Sequence, residues 1–258
     1  MKNTISLFLL SLSIIAYSQS KMIVEYDYNF AHMHGIKSFL ITDHKKSYFF
    51  YVNEPDVTYK TLEKNNFLGL NNYHVFEYSQ NNEEIKQRVF MIPPKIQNPI
   101  PKLAVEKLAD LKWTITNKTK EILTYKAFLA TAEFRGRKYN AWFTKDLPFN
   151  LFPWKLKGLP GVVLEFEDDE GYIKGIAKFI ILNSNVDFPT KVTKYFDEKD
   201  TTFIIPFKKL IEYENEVLKI EMNKIIASSP KETKYEMTNI RDAALEKTFE
   251  WETAPAKF

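Results

Sequence analysis

Residues 22–30 read MIVEYDYNF. Met22, Val24, Tyr26, Tyr28 and Phe30 alternate with Glu25, Asp27 and Asn29. Successive side chains of a strand point to opposite faces, so period two commits this segment to a half-buried strand. The same chemistry recurs. Phe39-Leu40-Ile41 and Tyr48-Phe49-Phe50-Tyr51-Val52 flank the polar run 43–47, and residues 74–78 and 85–91 flank Asn81-Asn82. Both read as hairpins, making the first part a β-meander. An aromatic share of 15 %, mostly Phe and Tyr, suits a pleated, partly buried surface.

Four of the twelve prolines lie between Pro93 and Pro101. Proline donates nothing to a ladder and disfavours helix in the residue before it, so 92–101 reads as an extended connector. It is a domain boundary or a strap across one domain. We read it as a strap, because each half alone would leave open sheet edges. Beyond it, Lys102 to Leu111 is a short helix candidate. Strand signals follow at 113–115, 121–123, 125–134 and 138–144, with a bulge or bend expected at Arg135-Gly136-Arg137. From about Phe207 to Ala227, Leu210, Ile211, Val217, Leu218, Ile225 and Ile226 recur at helical spacing, between Pro206 and Pro230. Residues 231–258 read as a polar tail, partly disordered.

The first residues resemble a secretory leader: Lys2, an apolar stretch from Ile5 to Ala16, then Ala16-Tyr17-Ser18, with cleavage expected after Ser18. An uncleaved anchor or an N-terminal core helix is the alternative, but the stretch is short and Ser-interrupted for a membrane span, and no second one follows. The mature chain is therefore expected without a transmembrane span, periplasmic or extracellular. The sequence contains no cysteine, which excludes a lipoprotein anchor, disulfides, thiol catalysis and Cys-based zinc sites. The formal charge is only +3, with Lys interspersed among acids, unlike the basic stripe that nucleic acid requires.

Residues 155–171, KLKGLPGVVLEFEDDEG, hold three of only seven glycines. A phosphate cradle would need GxxxxGK[ST], or GxGxxG leading into a helix, and neither is present. The acids 167–170 lack calcium-loop spacing. A turn explains more. Gly158 and Gly161 bracket Leu159-Pro160 and feed a strand. A four-residue loop at 168–171 would then set Glu167 opposite Tyr172, Glu165 opposite Lys174 and Phe166 opposite Ile173, with one apolar face and one charge-paired face.

GLPGVVLE (158–165), preceded by AWFT (141–144), closely resembles the GLPGLI family of Bacteroidetes-type secreted proteins. Trp113, the Ile122-to-Tyr125 step and Phe134-Arg135-Gly136-Arg137 extend the resemblance over most of the mature chain. Val162-Val163 stand where the family name has Leu-Ile, Phe152-Pro153 where members often have Gly-Pro, and Lys126-Ala127 where a Cys often follows the Tyr. The resemblance implies export and a β-rich body. The family's function is unknown, so it implies no chemistry.

Candidate chemistry is sparse. His32 and His34 share a strand face and, with a third ligand such as His44, could bind copper or zinc; surface histidines are the plainer reading. The sequence has no GxSxG elbow, Ser-x-x-Lys or HExxH. No catalytic residue, metal site or cofactor is assigned. The best binding candidates are Arg137, Phe149, Phe152 and Trp154. The three rings sit in a Pro-containing loop where exposure is expected, whereas Trp142 and Phe143 read as core.

The expected fold is mainly antiparallel β (α+β). It is a strongly curved sheet or half-barrel with one long C-terminal amphipathic helix, and 19–230 form a single domain. The expected function is that of a secreted, non-enzymatic binding or accessory protein of the bacterial envelope, with an apolar ligand or an envelope protein as partner. An unrecognised extracytoplasmic hydrolase or metal-handling protein, or a purely structural envelope component, are the alternatives.

Overall fold

The alternation at 22–30 becomes β1 (Lys21–Phe30), the central strand of one twelve-stranded sheet. The computed structural model describes residues 21–253 apart from 32, 44, 53–56, 63–74, 80–82, 92–98, 109, 148, 186, 195, 198–200 and 231–238. Residues 1–20, which include the expected leader, and 92–98, most of the expected strap, lie outside the described residues.

On one side of β1 run β2 (Met33–Thr42), β3 (Ser47–Val52), β4 (Val75–Tyr78), β5 (Glu84–Met91) and β6 (Ile100–Lys107), each antiparallel to its neighbour. On the other side lie β11 (Ile173–Ser184), β10 (Val162–Asp168), β9 (Arg137–Thr144), β8 (Tyr125–Phe134) and β7 (Thr114–Ile122). The two meanders join where β1 pairs with β11. The short β12 (Ile204–Pro206) adds a parallel edge beside β6. The sheet is curved and unclosed, and mostly antiparallel, as the strand patterning predicts.

The segment 102–107 is a strand, not the expected helix. Its pairing with β5 outweighs local preference, and Leu103 and Ala104 are buried in it. Residues 135–136 are a two-residue hairpin turn rather than a bulge within a strand, with Phe134 paired to Arg137. Both turn residues have positive φ, 46° and 82°, which matches the right-handed strand twist.

The 10–11 hairpin is offset by two residues from the expected register. Glu167 faces Lys174 and Phe166 faces Gly175. The loop keeps four residues but moves along by one, fixed by the Asp168 carboxylate accepting the Ile173 N–H at 2.8 Å. An even offset preserves the faces, so the apolar and charged sides stand as expected.

Side chains from both meanders meet on one face, so that face is the inside of the curve: Met22, Val24, Tyr26 and Tyr28 of β1 with Phe49, Phe76, Phe143 and Phe166. The opposite face of β1 to β3 is also covered. There Ile23, Phe39, Ile41 and Phe50 pack beneath Val57, Leu62, Val192 and Phe196, the last two from α1 (Thr190–Thr193) and the turn after it. β1 is consequently buried on both faces over most of its length.

α2 (Phe207–Ser228) is the expected long helix. Only Phe207, Leu210 and Ile211 of its first turns are buried; Ile225 and Ile226 are exposed. The edge strands β6 and β12 reach no further along it. Residues 239–253, read from sequence as part of a polar tail, pack against the sheet and α2 through Ile240, Leu245 and Phe249.

Candidate functional site

The inner hollow of the sheet is filled by the chain itself. Residues 145–161 enter it, burying Leu147, Phe149, Leu151, Phe152, Trp154, Leu156 and Leu159. Trp154 is 2 % exposed, flanked by Phe134 and Tyr139 with ring centroids 5.8 and 5.7 Å away. The Tyr78 hydroxyl donates to the Trp154 carbonyl at 2.7 Å, and Phe152 packs edge-on against the Tyr78 ring. The expected exposure of Phe149, Phe152 and Trp154 is therefore corrected: all three are core. A loop rich in large rings reads as exposed only until a curved sheet offers a hollow of matching size. Phe143 is core as expected, whereas Trp142 is only partly buried, on the other face, with Lys120 Nζ 4.3 Å above its ring.

The GLPG stretch closes the insertion. Leu151 bridges to Val162 there, its N–H donating to the Gly161 carbonyl and its carbonyl accepting the Val163 N–H, and Gly161 passes against the end of β9. A Cβ at 161 would lie 1.9 Å from the Thr144 carbonyl oxygen, so only glycine fits. The stretch is a turn, as its residues indicate.

Arg137 is buried as well, and its partners are internal. Nη1 donates to Asp168 at 2.7 Å and to Glu170 at 2.8 Å, while Nε and Nη2 donate to the carbonyls of Leu245 and Ala244. Its role in this structure is to fasten the 239–253 segment to the β8–β9 turn. The Arg135 carbonyl continues the clamp, accepting the N–H groups of Lys247 and Thr248. Arg241 completes it, donating to Glu214, Asn215 and the Glu246 carbonyl.

Beside this clamp lies a cluster of buried charge. Arg135, 3 % exposed, pairs with Glu106 and Glu246, and its Nε–Nη2 edge grips Glu250 in a two-bond fork at 3.1 and 3.0 Å. Lys155 Nζ reaches Glu106 at 2.7 Å and both oxygens of Glu246 at 3.0 Å, and lies 3.6 Å over the Phe207 ring. The guanidinium of Arg135 lies about the rings of Phe134, Phe207, Phe249 and Trp251. Two buried cations thus face two buried carboxylates, and Glu250 joins them from the surface. Burial alone would push the Glu246 carboxyl up; Lys155 and Arg135 outweigh it and hold it below the usual range. At Glu214 burial wins over Arg241, and the carboxyl is raised.

Arg135, Glu106 and Glu250 of this cluster line the floor of a pocket of about 630 Å3, while Lys155 and Glu246 are paired to them without lining it. Phe134, Phe207, Trp251, Val105, Leu108 and Leu111 supply apolar wall, and Lys107, Lys112 and Lys208 stand at its rim. Sequence reasoning noted Arg135 beside the aromatic run 139–154 without choosing it, and passed over Lys155, Glu106, Glu246 and Glu250. One signal was available: the chain has only four arginines, and three of them, 135, 137 and 241, are in the clamp.

Of the histidines, His34 is exposed on β2, while 32, 44 and 74 lie outside the described residues. Among the described residues no group of three or more ligating side chains could hold a metal ion. Nor, among them, is any helix long and apolar enough to cross a membrane.

No protein-family model and no curated protein matches the chain. Among solved structures it is similar to PNGF-II, with 19 % identity and a TM-score of 0.51 over 74 % of this chain and 32 % of that one. A second crystal form gives 18 % identity and a TM-score of 0.49, over 73 % of this chain and 31 % of that one. A LolA superfamily protein, NE2245 from Nitrosomonas europaea, matches at 10 % identity and a TM-score of 0.22, over 68 % of this chain and 90 % of that one. The likeness to PNGF-II is one of fold alone, and the chain spans about a third of that protein's length.

Proposed function

We propose that the protein is an exported, non-enzymatic binding or accessory protein of the bacterial envelope, of the GLPGLI type, and that its recognition surface is the pocket above Arg135. Export rests on the leader-like residues 2–18, and the family reading on the GLPG turn with its AWFT and FRGR companions. The observation that carries the binding reading is the pocket itself: a concavity of about 630 Å3, mostly apolar in its walls, over the charged side chains of Arg135, Glu106 and Glu250. The buried ionisable groups of that cluster neutralise one another in close pairs, an arrangement suited to holding a shape rather than to passing protons. The inner hollow is a poorer candidate, because residues 147–159 already fill it.

The test is purification of the protein from the envelope fraction of an expressing cell, with mass spectrometry of what stays bound. A defined small molecule or a stoichiometric partner, lost from Lys208→Glu, supports the reading. Recovery in the cytoplasm with its first residues intact, or bound material indifferent to the pocket variant, sinks it.

A further inference from the structure

We infer that the pocket above Arg135 is a binding site for a small amphipathic carboxylate, whose head group takes the place of Glu250 on the Nε–Nη2 edge of Arg135. This rests on the reading of the pocket as the recognition surface and names its ligand class.

Arg135 has two kinds of partner. Glu106 and Glu246 are buried with it and also hold Lys155. Glu250 differs: its side chain is 60 % exposed, and it stands at the pocket lip on the 249–252 turn. Water can rehydrate the exposed Glu250 carboxylate when it swings out, and Arg135 keeps Glu106 and Glu246 as counter-charges, which limits the cost of that movement. The Nε–Nη2 edge it leaves lies among four rings and has lost both of its Glu250 acceptors. The vacated edge presents two parallel N–H donors, the geometry that a carboxylate fits.

The rest of the pocket selects what the carboxylate carries. Phe134, Phe207 and Trp251 offer an apolar wall long enough for an alkyl chain or a ring. Lys107, Lys112 and Lys208 line the pocket and form no ion pair among the described residues, whereas the lining acids Asp110 and Glu133 are paired with Lys157 at 3.2 Å and with Lys138 at 3.8 Å. The approach therefore favours an anion. Glu250 is an internal competitor, so ligand binding and release of the 249–252 turn are one exchange.

Calorimetric titration with decanoate and with decanol separates the head group from the tail. Glu250→Gln keeps the side-chain shape but removes the competing charge. It is expected to bind decanoate roughly fivefold or more tighter than the native chain, because the edge is no longer occupied. Decanol should show no such gain, and Lys208→Glu should weaken decanoate. A peptide ending in a free Phe carboxylate, beside its C-terminal amide, distinguishes the end of a polypeptide from a free acid as the source of the same chemistry. The inference is overturned if Glu250→Gln leaves both carboxylate probes unchanged or weaker, or if decanol gains as much as decanoate. Should the envelope purification still yield a pocket-dependent ligand of another kind, the wider binding reading stands while this assignment fails.

Discussion

Gly161 and Thr144 touch through backbone alone: a Cβ at 161 would sit 1.9 Å from the Thr144 carbonyl oxygen and 2.8 Å from its carbonyl carbon. No side chain can swing aside to relieve such a contact. Gly161→Ala must separate β10 from β9 at the point where the 145–161 insertion leaves the hollow. We expect a loss of about 3 kcal/mol or more, or failure to fold. Denaturant unfolding measures it, and a loss within 1 kcal/mol, about the scatter of ordinary surface changes, would contradict the packing described.

Phe166 lies across Gly175 in the neighbouring strand, where a Cβ would come 2.3 Å from the ring. Gly175→Ala should cost roughly 1–3 kcal/mol by overpacking. Once Phe166 is shortened to Leu, the same change should cost much less. Equal costs in the two backgrounds would show that the ring is not what reserves the space.

Trp154 fills the centre of the hollow, and Trp154→Ala should cost about 3–5 kcal/mol. Its fluorescence should be blue-shifted and shielded from quenchers in the native chain. A quencher-accessible Trp154, read in a variant with the other tryptophans replaced by Phe, would place the loop outside.

Glu246 is held below the ordinary carboxylate range by Lys155 and Arg135, against its burial. Its contribution to stability is therefore present above the unfolded-state value and is lost as pH falls through the lower folded-state value. Native melting temperature should fall on acidification through that window. Glu246→Gln should be less stable at neutral pH by roughly 3–5 kcal/mol, because it leaves buried cations short of a partner. The two melting curves should converge in acid. Parallel curves from neutral pH downward would refute the assignment.

Tyr28 and Tyr139 bury hydroxyls that find no hydrogen-bond partner among the described residues. Tyr26, by contrast, donates to the Val163 carbonyl at 2.7 Å. Tyr28→Phe should leave stability unchanged or raise it, whereas Tyr26→Phe should lower it by about 1 kcal/mol. The opposite order in thermal melts would reverse this hydrogen-bond accounting.

The strands were legible because their period is local. Alternation at 22–30, the hairpins around 43–47 and 79–83, and the GLPG turn each follow from neighbouring residues and the pleat. The helix at 207–228 was legible for the same reason, from its spacing between two prolines. The segment 102–107 was not, since only pairing with β5 decides between helix and strand there. Nor could the sequence tell that the rings at 149, 152 and 154 are core. Their burial depends on how far a sheet of twelve strands curves, a property of all the strands together. The candidate site was least legible of all. Glu106, Arg135, Lys155, Glu246 and Glu250 come from β6, a hairpin turn, an inserted loop and the tail. Charges so far apart in the chain carry no pattern, and tertiary packing alone sets them side by side.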